Sequence, residues 1–106
     1  MTAVRRLVDI AHARTGDKGD TSQIAVFAKR SEDYALILKM LTPERVKAHF
    51  PGLAVTRVRR YELHHLHAVN LVLEGALSGG VTRSLSLDAH GKTLGAQLLS
   101  MAIDES

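Results

Sequence analysis

The sequence predicts an α+β domain in which a mixed sheet of about four strands carries helices mainly on one face. Some segments alternate apolar and polar residues with a period of two, and others repeat apolar residues every three or four positions. The chain has 106 residues, the usual size of one domain, so residues 1–106 are expected to form a single domain around one core. Aromatic residues make up only 4%, so that core is aliphatic.

Four segments are expected to be strands. They are Val4–Arg14, Ser22–Ala28, Val55–Leu63 and Thr82–Asp88. In the first segment both alternating sets of residues are partly apolar, which is typical of a strand with two covered faces. Between the first two strands, Thr15–Thr21 has the composition of a loop.

Four helices are expected. The first follows Ser31 as its N-cap, and the second begins at Thr42-Pro43-Glu44, a cap, a proline and an acid in the first turn. A third helix is expected over His65–Leu77, ended by Gly79-Gly80, and Leu94 and Leu98 mark a fourth. The buried stripe expected for the third helix consists of Leu66, Val69, Leu73, Ala76 and Leu77.

The resulting order is β-β-α-α-β-α-β-α. Helices that join strands favour parallel pairing through right-handed crossovers, whereas the first two strands can pair antiparallel. One layer of helices leaves the opposite face of the sheet without cover, although the strands are apolar on both sides. A homo-oligomer would provide that cover.

Composition limits the function classes. The net charge of +3 is mildly basic, and the run of Arg57, Arg59 and Arg60 is either a solvated strand edge or a patch for an anion. Scarce aromatics argue against a nucleic-acid partner. Without cysteine, the chain has no thiolate nucleophile or thiolate metal site. The charged first ten residues are no signal peptide and no apolar run reaches membrane length, so a cytosolic protein without a membrane partner is expected.

The segment Arg14–Thr21, RTGDKGDT, is the first candidate site. Its glycines let backbone amides approach a ligand, and Arg14 and Lys18 supply positive charge for a phosphate or carboxylate. Asp17 and Asp20 are candidates for an acid/base pair. The alternative is a tight polar turn between two strands.

The segment Glu62–Asn70 contains three histidines and a carboxylate. On a helix His65 and His67 point apart, so no metal site is predicted, and no cofactor either. His67, Asn70 and Glu74 would instead share one polar stripe, in which His67 is a candidate general acid or base and Asn70 a candidate for holding a carbonyl oxygen. The alternative is a solvated helix face.

Two further residues are candidate anion ligands. Arg83 lies in the glycine-containing segment Ser78–Ser84. The alternative is that this segment is only a helix C-cap that runs into a strand. His49 lies near the end of the TPERVKAHF helix, where a histidine also interacts favourably with the helix dipole.

The segments AHARTGDKGDTSQIAVFA, LTPERVKAHF, RYELHHLHAVNLVLEGALSGGVTRSL and LDAHGKTLG resemble the small C-terminal domain of AtuA-type proteins, the acyclic terpene utilisation family. The resemblance spans about Val8 to Met101. It implies a ferredoxin-like fold and a link to the breakdown of terpenoid acids as coenzyme A thioesters. Where the family pattern reads Leu-Pro-Asn-Leu-His, only His67 of this chain's histidines matches.

The large AtuA domain is not part of this chain, so the resemblance favours an accessory subunit that completes a site in a larger AtuA-type protein acting on acyl-CoA or related acids. One alternative is a stand-alone hydratase- or lyase-type enzyme, with Asp17, Asp20 or His67 as acid/base and Arg14 or Lys18 on the substrate anion. A structural oligomerisation module is the other.

Overall fold

The sheet has four strands, in a computed structural model that describes residues 5–76 and 92–103. The strands are β1 (Ala11–Lys18), β2 (Thr21–Ala28), β3 (Arg57–Leu63) and β4 (Ala68–Glu74), and the helices are α1 (Tyr34–Met40), α2 (Pro43–His49) and α3 (Lys92–Leu99). The strand order is β1-β2-β4-β3, with every neighbouring pair antiparallel. The predicted α+β class is confirmed, and the described residues contain four strands, one of which, β4, was not among the strands predicted.

The predicted loop over Thr15–Thr21 is wrong, because β1 and β2 continue through it as a hairpin. Lys18 pairs with Thr21, so only Gly19 and Asp20 form the turn. Gly19 has a φ of 63°, which suits the first central position of a tight hairpin turn. The first strand also begins later than predicted, since Leu7–Asp9 is a 3-10 turn with Leu7 in the core.

The predicted helix over His65–Leu77 is wrong, and its main part is β4. Val69, Leu71 and Leu73 alternate as fully buried residues, which is the period of a strand with one covered face. The 3-10 turn His64–Leu66 reverses the chain from β3, and His67 takes a left-handed φ of 49° to complete the reversal. The polar stripe expected for His67, Asn70 and Glu74 on a helix therefore does not exist.

No described strand pairs in parallel, although a mixed sheet was expected. β2 and β3 do run in the same direction and are joined through α1 and α2, as the crossover argument requires. However, β4 lies between them and pairs antiparallel with both. β2 and β3 do not pair in parallel because residues 68–74, which were expected to be helical, form β4 between them.

The helix starts are only partly as predicted. The Thr42 cap is confirmed, because its hydroxyl oxygen accepts a hydrogen bond of 3.2 Å from the Arg45 amide. The first helix instead begins at Tyr34, after a 3-10 turn over Ser31–Asp33. The fourth predicted helix is confirmed as α3. The predicted strand Thr82–Asp88 and the Gly79-Gly80 cap lie outside the described residues.

The core lies between the three helices and one face of the sheet. Ile24 and Leu71 from the sheet and Ile37 and Leu98 from the helices have 0% of their surface exposed. Burying each such side chain stabilises the fold by about 1.5–3 kcal/mol. Within residues 5–76 and 92–103, no helix has the length and apolar character needed to cross a membrane.

Candidate functional site on the open face of the sheet

The second face of the sheet has no helix over it in the part of the chain that the structure describes. Arg60 contacts α1, and Ala13 and Thr15 contact α3, so these three residues mark the helix side of the sheet. The strand register places the alternate residues on the other side. We call this surface the open face. It consists of His12, Arg14, Lys18, Gln23, Ala25, Phe27, Arg57, Arg59, Tyr61, Asn70, Val72 and Glu74.

One cross-strand row runs through the middle of the open face. Arg14 lies opposite Ala25, Ala25 opposite Asn70, and Asn70 opposite Tyr61. Because neighbouring strands are about 4.8 Å apart, the backbones of Arg14 and Asn70 are roughly 10 Å apart, with only a methyl group between them. The row therefore places the Arg14 cation and the Asn70 amide on either side of the small side chain of Ala25.

The apolar residues of the open face lie beside this row. Phe27, Ala25 and Val72 are half-buried, and 46% of the Tyr61 side chain is exposed. Alternation of polar and apolar residues along a strand is typical when one face meets solvent, but here half of the residues on the open side of β2 and β4 are apolar.

The charges of the open face divide into two parts. Beside β3, the Arg59 guanidinium contacts the Glu74 carboxylate at 2.6 Å. A hydrogen bond with the Tyr61 side chain is the larger cause, and the negative charge of Glu74 the next, of a raised pKa of Arg59. Beside β1, His12 and Arg14 are exposed and contact no carboxylate within the described residues. Among the described residues, the positive charge of Arg14 on the β1 side therefore has no compensating carboxylate.

Two cavities meet at Arg14, one on each side of β1. A cavity of about 550 Å³ is lined by His12, Ala13, Arg14 and Phe27. Another of about 410 Å³ lies towards α3, lined by Ala13, Arg14, Thr15, Gly95, Ala96 and Leu99. Sequence reasoning found Arg14 but missed His12 and Phe27, whose shared face becomes evident only once β1 and β2 are paired in register.

The structure separates the predicted acidic residues from His67. Asp17, Lys18 and Asp20 lie at the hairpin end of β1 and β2, whereas the carbonyl of His67 accepts a hydrogen bond from the Ala28 amide at the other end of β2. The eight residues of β2 span roughly 24 Å from one end to the other. Of the predicted ligands, Arg14, Lys18 and Asn70 share the open face.

The other two predicted anion ligands are not on the open face. His49 lies on the helix side, where its Nε2 donates a 2.6 Å hydrogen bond to the Gln97 carbonyl and its ring packs edge-on against Phe50. This imidazole joins α2 to α3. Arg83 lies outside the described residues.

The three-histidine segment forms a corner beside Tyr34. The rings of His64 and His67 both pack edge-on against Tyr34, with centroids 5.7 and 5.6 Å away, and His64 contacts Glu62 at 3.1 Å. Burial, followed by the Glu62 carboxylate, raises the pKa of Tyr34. Over residues 5–76 and 92–103, no three histidine or acidic side chains converge in a way that could hold a metal ion.

An antiparallel four-stranded sheet with helices on one face and a half-apolar, basic second face defines an α+β domain of ferredoxin-like type. The sequence model of the AtuA ferredoxin-like domain matches residues 5–104. The chain therefore belongs to the AtuA ferredoxin-like domain family, as its motifs indicated. No curated protein and no solved structure matches the chain.

Proposed function

We propose that this domain is an accessory subunit that docks through its open face on a larger AtuA-type protein and completes a site there. The observation that carries the proposal is the sheet face that no described helix covers, with Phe27, Val72 and Tyr61 partly exposed on it. In line with the family resemblance, we expect the complex to act on an acyl-CoA or a related acid.

The energetics of the open face support docking. Each Å² of apolar surface removed from water contributes about 25 cal/mol, and aromatic residues are enriched at protein interfaces. The middle of this face carries no bulky charge, because Ala25 and Val72 separate the cations of β1 from those of β3. A partner can therefore bury the middle of the sheet without burying an unpaired charge.

The alternative of a stand-alone hydratase or lyase gains no support from the geometry. General acid/base catalysis requires groups within hydrogen-bond reach of one substrate. Asp17 and Asp20 lie at the hairpin end of the sheet and His67 at the other end. A stand-alone enzyme would therefore use either the acids at the hairpin end or His67 on a small substrate, and not both within one chain.

A pair of matched variants tests docking. Ala25→Glu places a carboxylate in the middle of the open face, whereas Ala35→Glu places the same group on the exposed side of α1. In titrations with a purified larger AtuA-type protein encoded beside this chain, we expect Ala25→Glu to weaken binding at least tenfold and Ala35→Glu to bind like the wild type. Thermal unfolding of both variants controls for folding.

Turnover provides a second readout. We expect the larger protein to process an unsaturated acyl-CoA faster with the wild-type chain or Ala35→Glu than with Ala25→Glu. Equal binding by the two variants would show that the open face is not the docking surface. A wild-type chain that neither binds the larger protein nor changes its turnover would refute the accessory role itself.

A further inference from the structure

Cations and carboxylates are unevenly distributed over the open face, and this distribution indicates the charge of the partner that would cover it. Glu74 lies directly opposite Arg57 and forms an ion pair with Arg59, so the β3 side is largely compensated within the chain. Lys18 lies at the hairpin end of β1, away from the middle of the open face. Arg14 is left in the middle of β1 with no carboxylate among the described residues.

A second copy of this chain is a poor match for this face. The open face carries four cations, Arg14, Lys18, Arg57 and Arg59, against the single carboxylate of Glu74. Two open faces stacked on each other would bring these cations together. Juxtaposed like charges in an interface cost several kcal/mol, which burial of the small and already half-buried Ala25 and Val72 does little to offset.

Arg14 is placed to receive an acid from outside the chain. It is exposed, and the two cavities that flank β1 leave room on both sides of its side chain. A guanidinium binds a carboxylate through two parallel hydrogen bonds, which also fixes the orientation of the partner.

On the basis of the proposed docking, we propose that the partner surface is acidic opposite β1 and places a carboxylate side chain against Arg14. Opposite Phe27, Val72 and Tyr61 the partner surface is apolar. The bound partner is then a different protein, held in one orientation by charge at β1 and by apolar burial at β4 and β3. Self-association through other surfaces of the chain is compatible with this arrangement.

Charge reversal tests the inference. Arg14→Glu changes the β1 side of the open face, and Lys47→Glu makes the same change in charge on exposed α2, on the helix side. With the larger AtuA-type protein as the probe, we expect Arg14→Glu to bind at least tenfold more weakly and to lose much of the salt dependence. Lys47→Glu should retain both the affinity and the salt dependence of the wild type.

The possible failures can be told apart. If Arg14→Glu and the wild type bind alike at low and high salt while Ala25→Glu does not bind, docking stands and the acidic partner surface is refuted. Absence of wild-type binding refutes docking and this inference together.

Two further results would overturn the inference. One is a dimer of the free chain, seen by sedimentation, that Ala25→Glu dissociates, because a second copy would then cover the face. The other is binding of butyryl-CoA to the free chain that Arg14→Glu abolishes, because the acid on Arg14 would then come from a small molecule.

Discussion

The Tyr34 hydroxyl donates a 2.9 Å hydrogen bond to the carbonyl oxygen of Ala68, and this bond joins the first residue of α1 to the first residue of β4. Both residues are buried, with 8% and 0% of their surface exposed. The bond satisfies a backbone carbonyl just after the left-handed turn at His67, where β4 begins. It therefore fixes the strand that occupies the centre of the sheet between β2 and β3.

Tyr34→Phe is expected to destabilise the domain by about 1–3 kcal/mol, since the Ala68 carbonyl would remain buried without its donor. Tyr61→Phe is the matched control, because Tyr61 is exposed on the open face and its hydroxyl interacts with the surface residue Arg59 and not with a buried carbonyl. Urea unfolding followed by circular dichroism measures both. Equal midpoints for the two variants would show that the Tyr34 hydroxyl contributes nothing.

The same tyrosine makes stability depend on alkaline pH. Burial, and then Glu62, raise the pKa of Tyr34 above its ordinary value of 10.0. The unfolded chain gives up this proton at lower pH than the folded chain, so the stabilisation is complete below about pH 10 and is lost as the pH rises through the folded pKa. Unfolding free energies from about pH 8 to pH 11 should fall more steeply for the wild type than for Tyr34→Phe. Parallel curves would contradict this.

Arg60→Lys is expected to cost about 1–3 kcal/mol. The Arg60 guanidinium donates to the Leu38 and Leu41 carbonyls at the end of α1, at 2.7 and 3.3 Å, and also contacts Glu62. A lysine ammonium lacks the planar fork that reaches all three acceptors. Arg59→Lys, at a half-exposed ion pair on the open face, should change stability much less than Arg60→Lys. Thermal unfolding compares them, and a similar loss in both would argue against the capping role of Arg60.

His49→Ala should lower stability by about 0.5–1.5 kcal/mol, because it removes the hydrogen bond to Gln97 that joins α2 to α3. His65→Ala, at an exposed position in the β3–β4 turn, should leave stability within about 0.5 kcal/mol of the wild type. Chemical denaturation provides the comparison. If His49→Ala kept full stability but abolished binding of an acyl-CoA, the sequence-based role as an anion ligand would be correct and the packing role wrong.

Gly95→Ala tests the close contact between α3 and β1. A Cβ at position 95 would collide with the Thr15 hydroxyl oxygen, so we expect a loss of about 1–3 kcal/mol despite the better helix propensity of alanine. Thr15→Ala combined with Gly95→Ala should recover most of that loss. The unfolding free energies of the two single variants and the double variant form the test. If the losses of the two single variants simply add in the double variant, the contact between position 95 and Thr15 is not the cause of the loss.

Some of the site could be predicted from sequence, and some could not. The sequence indicates Arg14 by its charge beside glycines, and it indicates Asn70 only through a polar helix stripe that does not exist. Phe27 and His12 gave no signal, since cross-strand neighbours are far apart in sequence. The distance between Asp17 and His67 could not be predicted, because the segment expected to be a loop is a hairpin that carries the acids to the far end of the sheet.

By itself the sequence determined the α+β class, the aliphatic core and the two helices with clear signals, the Thr42-capped helix and the last one. These depend on local periodicity and capping, which act within a few residues. Only the tertiary structure decided that residues 68–74 form a strand and not a helix. Val69 and Leu73 fit either period, and pairing with β2 and β3 provides hydrogen-bond partners that no local pattern encodes. That same pairing places Arg14 and Asn70 on one face.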